Sequence, residues 1–170
     1  MPSTYTLISS NVLASSAASV TFSAIPSTYT DLVVRASTRS SVAGGVFMQI
    51  NGDTSSLYSI TRLRGDGATT SSGLTSNATN LYFGLDVYDT STANTFTSQE
   101  IYIPNYTVAQ NRAISNFLVQ ENNAASTNTN IDVESGLYRS TTAITSLTIL
   151  KTSNNFVSGS SFYLYGIKNS

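Results

Sequence analysis

The segment that most constrains this chain lies near its C terminus: Ser161-Phe162-Tyr163-Leu164-Tyr165-Gly166-Ile167-Lys168. Side chains alternate along a strand, so Phe162, Leu164 and Gly166 fall on one face and Tyr163, Tyr165 and Ile167 on the other. Both faces are apolar or amphipathic, which suits a strand inside a sheet rather than one at a solvent-facing edge. An apolar terminus has to be tied into a core, so the fold is expected to close on this strand. Just before it, Ile144–Lys151 reads as its partner, joined by a polar turn that contains Asn154, Asn155 and Gly159.

Similar alternating segments recur along the whole chain. Strands are expected near Tyr5–Ser9, Ala18–Ala24, Leu32–Ser37, Val46–Ile50, Leu57–Arg64, Leu81–Tyr88, Phe96–Ile103, Ala113–Glu121, Ile131–Tyr138, Ile144–Lys151 and Ser161–Ile167. No window shows a capped helical period. In Leu81–Tyr88 the alternation places Leu81, Phe83, Leu85 and Val87 in the core and Tyr82, Asp86 and Tyr88 outside. Many short strands without intervening helices predict an all-β sandwich or barrel, and 170 residues with no evident linker predict one domain spanning 1–170. Asn51-Gly52-Asp53 marks a tight hairpin turn. Two polar runs, Gly65–Asn80 and Asn122–Asn130, read as loops, and the first is long enough to suggest partner binding. Pro-Ser-Thr-Tyr-Thr occurs at both Pro2–Thr6 and Pro26–Thr30, a shared turn-into-strand signal rather than a solenoid repeat.

The composition removes most chemistry. There is no Cys and no His, which excludes disulfides, thiolate metal sites, the usual zinc ligands and the commonest general base. Charged residues are only 10% of the chain, with a net charge of −1, while Ser, Thr and Asn fill about 40% of it. The eight basic residues do not cluster, so no phosphate-tracking surface for nucleic acid is expected. No apolar run approaches the roughly 18 residues of a membrane-spanning helix, and Met1-Pro2-Ser3 lacks the start of a secretory signal. Hydroxyl nucleophiles lack an activating base. Asp132 and Glu134 share one strand face, and Asp86 and Asp89 lie close together; both pairs read as solvated surface rather than the opposed carboxylates of a glycosidase. Loop aspartates Asp53, Asp66 and Asp89 match no calcium-binding motif. No enzyme activity and no cofactor are expected.

Two features remain as contact candidates. Ten Tyr and no Trp leave Tyr82, Tyr88, Tyr102, Tyr138, Tyr163 and Tyr165 opposite the assigned core positions. They either cover the second sheet and pack across strands or, because Tyr buries a large flat area at low entropic cost and keeps a polar tip, form an interface, for which Tyr82, Tyr88, Tyr163 and Tyr165 are the candidates. The same rings could stack on sugars. Arg64-Gly65-Asp66 matches a cell-adhesion tripeptide but reads equally well as turn chemistry, and leaves Arg64 and Asp66 as candidate loop contacts.

Two segments carry a family resemblance. Phe22-Ser23-Ala24-Ile25-Pro26-Ser27-Thr28-Tyr29-Thr30-Asp31-Leu32 resembles the I-P-x-x-Y-x-D-L opening of many small virion proteins of tailed bacteriophages. Phe156-Val157-Ser158-Gly159-Ser160-Ser161-Phe162-Tyr163-Leu164-Tyr165-Gly166-Ile167 resembles their F-x-x-G-S-x-F-x-L-Y-G-I close. The resemblance implies an antiparallel two-sheet, jelly-roll-like sandwich, and Phe22, Val34, Phe83, Leu85, Leu147 and Phe162 are expected in its core. It further implies a non-enzymatic protein of the virion, made in the bacterial host cytoplasm and placed on the outer surface of the phage head. There it would be a decoration (cement) protein with the major capsid protein as partner. The low charge and the surplus of tyrosine and aliphatic surface, notably Tyr163, Tyr165 and Ile167 on the closing strand, predict a homo-oligomer, which the resemblance makes most simply a trimer. The alternative is a tail or head fibre module binding host surface glycan. No catalytic residue carries over.

Overall fold

The computed structural model describes residues 4–123 and 129–168. Among these the chain forms twelve strands and no helix: β1 (Tyr5–Val12), β2 (Ser19–Phe22), β3 (Asp31–Thr38), β4 (Gly45–Ile50), β5 (Tyr58–Gly65), β6 (Thr70–Ala78), β7 (Leu81–Leu85), β8 (Thr97–Ile103), β9 (Arg112–Gln120), β10 (Asn130–Tyr138), β11 (Leu147–Leu150) and β12 (Ser161–Ile167). All pairings are antiparallel, in one sheet ordered β1-β12-β3-β8-β9-β10-β5-β6 and a second ordered β2-β11-β4-β7.

Set aside β5–β6 and β9–β10, and every remaining step along the chain crosses from one sheet to the other except β4 to β7, which are paired neighbours in the small sheet. Two four-stranded layers, β1-β12-β3-β8 and β2-β11-β4-β7, then enclose one core, which is a jelly roll. The two extra hairpins, inserted between β4 and β7 and between β8 and β11, meet each other and extend one layer to eight strands. This four-stranded extension is the main feature that the sequence conceals.

Each of the eleven expected strands is present, within a few residues at most of its ends. Three expectations fail. The run Gly65–Asn80 is not a loop: its greater part is β6, whose Thr70–Thr75 stretch pairs in regular register with Gly65–Ile60 of β5. The segment Ile144–Lys151 is not the partner of the last strand, because β11 lies in the small sheet and β12 in the large one. Asn51 and Gly52 do form a tight turn at φ 54° and 66°, but it carries the chain between sheets and closes no hairpin. The expected Asn122–Asn130 loop lies partly outside the described residues, as does the first Pro-Ser-Thr-Tyr-Thr copy.

The closing strand is interior, paired with β1 on one side and β3 on the other. Phe162 and Leu164 are fully buried, and Phe156 stacks edge-on against Phe162 with ring centroids 5.0 Å apart. At Gly166 any Cβ would lie 2.3 Å from the Tyr29 ring, so only glycine lets that ring lie flat on the strand. Thr30 N–H donates to the Ile167 carbonyl at 2.7 Å. The two segments quoted above for their resemblance are therefore packed on one another.

Phe22, Val34, Phe83, Leu147 and Phe162 lie in the core as expected, but Leu85 is only half-buried. Gly84 is the cause. Its φ of +83° breaks the alternation of β7, so Asp86 turns inward with Val87 while Leu85 turns away. Asp86 meets Lys151 at 2.8 Å with both side chains fully buried, and Ser40 Oγ and the Gly44 carbonyl complete the cluster.

Truncating Phe162 or Phe83 to Ala should cost on the order of 3–5 kcal/mol, because both are fully enclosed and the surrounding strands relax only partly. Denaturant unfolding of the variants measures it; a loss under about 1 kcal/mol at either site would show that the pocket collapses freely.

Candidate functional site

The extension β9-β10-β5-β6 has its polarity reversed. Along β10, Asp132 and Glu134 are buried and Ile131 and Val133 are about half exposed. Along β9, Arg112, Asn116 and Gln120 are buried while Phe117 is 47% exposed. Parity explains this. At one end of these strands Tyr138, Gly136 and Ile114 lie in the apolar core, with Tyr138 stacked on Tyr58 at 4.9 Å between centroids. Alternation along an unbroken strand then turns every second residue inward, whatever its chemistry. The expectation that Asp132 and Glu134 form a solvated face is thus overturned.

Several of the buried polar groups are paired across strands, although Gln120 has no partner among the described residues on either side-chain atom. Arg64 donates from Nε to Asp132 Oδ1 at 2.7 Å and from Nη2 to Oδ2 at 2.9 Å, a two-pronged contact between residues directly opposite in register. Its Nη2 also donates to the Tyr82 hydroxyl at 3.1 Å. Gln99 Nε2 donates to Asn116 Oδ1 at 2.7 Å, and Asn116 Nδ2 donates to Glu134 Oε2 at 2.5 Å. Burial raises the Glu134 pKa to about 7, with Asp132 adding to the shift; the bond from Asn116 and the cations Arg62 and Arg64 oppose it. Arg112, fully buried, donates to the carbonyls of Tyr106, Val108, Gln110 and Ser140, holding the β8–β9 and β10–β11 connections together.

The residues singled out from the sequence are scattered. Tyr82 leaves the inter-sheet core as its position in β7 requires, but β5 covers it: Arg62 lies 5.2 Å over its ring and Phe47 packs edge-on. Tyr88 is half-buried in the turn after β7, its carbonyl accepting from Ser91 N–H. Tyr138 belongs to the core rather than the outside. Tyr163 and Tyr165 do share the outer face of β12, beside a shallow depression of about 450 Å³ lined also by Arg35, Glu100 and serines. Arg35 bonds Glu100 at 2.9 Å and lies over the rings of both Tyr5 and Tyr165. Arg64 is no loop contact, since it points inward from β5. Asp66 sits in the β5–β6 turn, where N–H groups of Thr69 and Ala68 and the Thr69 hydroxyl hold its carboxyl below the usual range.

Sequence reasoning missed the outer face of the extension. Its residues are Ala113, Ser115, Phe117 and Val119 on β9, Ile131, Val133, Ser135 and Leu137 on β10, Ser59, Thr61 and Leu63 on β5, and Thr70, Ser72 and Leu74 on β6. None of them is charged. The signal was the alternation itself, I-D-V-E-S, once parity is set from Tyr138 instead of from the acids.

No family model matches this chain, and no curated protein matches it either. Among the described residues no group of three or more acidic side chains is arranged to hold a metal, and no helix is long and apolar enough to cross a membrane. The two carboxylates closest in sequence spacing, Asp132 and Glu134, are 0% and 1% exposed and bonded to Arg64 and Asn116, so they have no path to a substrate.

Because the folded Glu134 pKa exceeds its unfolded value of 4.5, its carboxyl favours the fold while protonated. That contribution is complete below about pH 4.5 and is lost as pH rises through about 7. At about 1.4 kcal/mol per unit, wild type should lose on the order of 3 kcal/mol relative to Glu134→Gln across this window. Denaturant unfolding of both proteins at several pH values tests it, and curves that stay parallel would mean that Glu134 titrates as in solvent.

Proposed function

We propose that this protein is a non-enzymatic structural component of a phage particle, acting as a decoration (cement) protein on the outer surface of the head. The observation that carries this reading is the outer face of the extension: a broad sheet surface without charge, formed by hairpins inserted into the jelly-roll topology. Such a surface suits permanent protein contact rather than solvent or a diffusible substrate. The packed opening and closing segments, with their likeness to small virion proteins, supply the particle context. The protein works there as a homo-oligomer, a trimer in keeping with threefold sites of a capsid lattice, and bridges major capsid subunits.

A fibre module that binds host glycan is the second reading. It is favoured by the depression beside Tyr163 and Tyr165, where aromatic rings adjoin Arg35, Glu100 and serine hydroxyls.

Two outcomes are expected. Purified particles should carry hundreds of copies and lose heat stability when the protein is removed; a few dozen copies with unchanged stability would favour the fibre. Incubation with capsular or lipopolysaccharide glycans should release no product, because the buried carboxylates are inaccessible. Reproducible cleavage abolished by Asp132→Asn or Glu134→Gln would overturn the non-enzymatic assignment.

A further inference from the structure

We infer that the outer face of β9-β10-β5-β6, with the free edge of β6, is a self-association surface whose occupant is a second copy of this chain. The inference adds the contact surface to the oligomer proposed above, and it concerns the free protein, so it stands or falls apart from the particle.

Three observations converge on it. The first is apolar exposure. Leu63, Leu74, Phe117, Ile131 and Val133 are 57%, 73%, 47%, 49% and 47% exposed, half of the ten large hydrophobic side chains that are exposed among the described residues. They are contiguous, because Phe117 pairs with Val133, Val133 with Leu63 and Val119 with Ile131.

The second is the edge. β6 ends the large sheet and pairs only with β5. Its nine residues, T-S-S-G-L-T-S-N-A, contain no charge and no proline, and all but the last are exposed. Natural edge strands are usually blunted by lysine, proline or a covering element. Here a bulge near Asn77, at φ 54°, irregularises only the far end. An unblunted edge presents backbone N–H and C=O groups that another polypeptide satisfies.

The third is charge. Among the described residues no charged side chain stands on the face itself; the nearest acids, Glu100 opposite Phe117 and Glu121 just past the end of β9, lie at its margins. A neutral face meets a copy of itself without like-charge repulsion, and the chain's net charge of −1 adds little. The size is sufficient. Four strands about 4.8 Å apart, at about 3.3 Å per residue, give on the order of 500 Å² in projection. Side-chain relief raises the accessible area toward the roughly 800 Å² per partner of a stable specific contact.

The tyrosine half of the same sheet is a poorer candidate. There Arg35 and Glu100 bond to each other, and the Tyr5 and Tyr165 rings already pack edge-on with Arg35 over them.

Sedimentation velocity across a concentration series tests the assignment with wild type, Val133→Lys, Leu74→Lys and, on the other half, Tyr163→Ser. Wild type should sediment as an oligomer, both lysine variants should associate about tenfold more weakly or worse, and Tyr163→Ser should match wild type. Circular dichroism and melting confirm folding; if Val133→Lys fails to fold, Leu74→Lys, at the most exposed site, decides alone. The inference is overturned by a monomeric wild type, by lysine variants that associate normally, or by dissociation confined to Tyr163→Ser.

Discussion

The extension depends on one contact, the two-pronged bond from Arg64 to Asp132. Burying an isolated carboxylate costs far more than a small domain's stability, and a pair recovers that cost only with good geometry and satisfied lone pairs. Both Asp132 oxygens are bonded, and the guanidinium also reaches Tyr82 of the small sheet. Such a pair adds little net stability over an apolar replacement, but removing one partner strands the other. Its effect is to fix register. A one-residue slip of β10 would produce the ordinary arrangement, with Ile131 and Val133 inside and the acids in water. That slip would also expose Tyr138 and separate Asp132 from Arg64. The apolar anchor at one end of the strand and the ion pair at the other choose the same register.

The uncharged outer face is the direct consequence of that choice. Charges on β9, β10 and β5 that would otherwise solubilise the sheet are turned inward: Arg112, Asp132, Glu134, Arg62 and Arg64. Nothing compensates outside. The sandwich core needs no second partner, since its two layers cover each other, but the extension lies beyond the small sheet and is reached from it mainly through β7, with the Tyr58 hydroxyl also bonding the Ile50 backbone of β4. Its hairpins are long enough to leave that cover, so their outer face and the edge of β6 have no internal surface to pack on.

The jelly roll was legible because its strands obey simple rules: Phe162 and Leu164 alternate with Tyr163 and Tyr165, and Leu81 and Phe83 flank Tyr82. The extension was not. β6 is a strand by pairing rather than by pattern, since T-S-S-G-L-T has no apolar period and buries almost nothing. On β10 the acids looked like the wet face because charged residues usually are; only the distant stack of Tyr138 on Tyr58 shows otherwise. At β7 the alternation was followed through Gly84, where the backbone turns left-handed and exchanges the roles of Leu85 and Asp86. Each miss has the same origin. Local pattern gives the period of a strand, but its parity is set by contacts far away in sequence.

The tyrosines illustrate how the same logic bears on function. Counting them suggested a surplus of interface area, yet Tyr58, Tyr106 and Tyr138 are core, Tyr82 is covered by β5, and Tyr29 lies on Gly166. A buried Tyr also needs a partner for its hydroxyl, and several have one: Tyr58 bonds the Asp53 carbonyl, Tyr138 the Asp53 carboxylate, and Tyr106 the Pro26 carbonyl. In a chain without Trp, tyrosine therefore fills the space between layers and fastens loops through its polar tip. Aliphatic side chains have no such second use. Where Leu63, Leu74, Ile131 and Val133 stand exposed in contiguous rows, the molecule itself supplies no reason for them, and an external surface does.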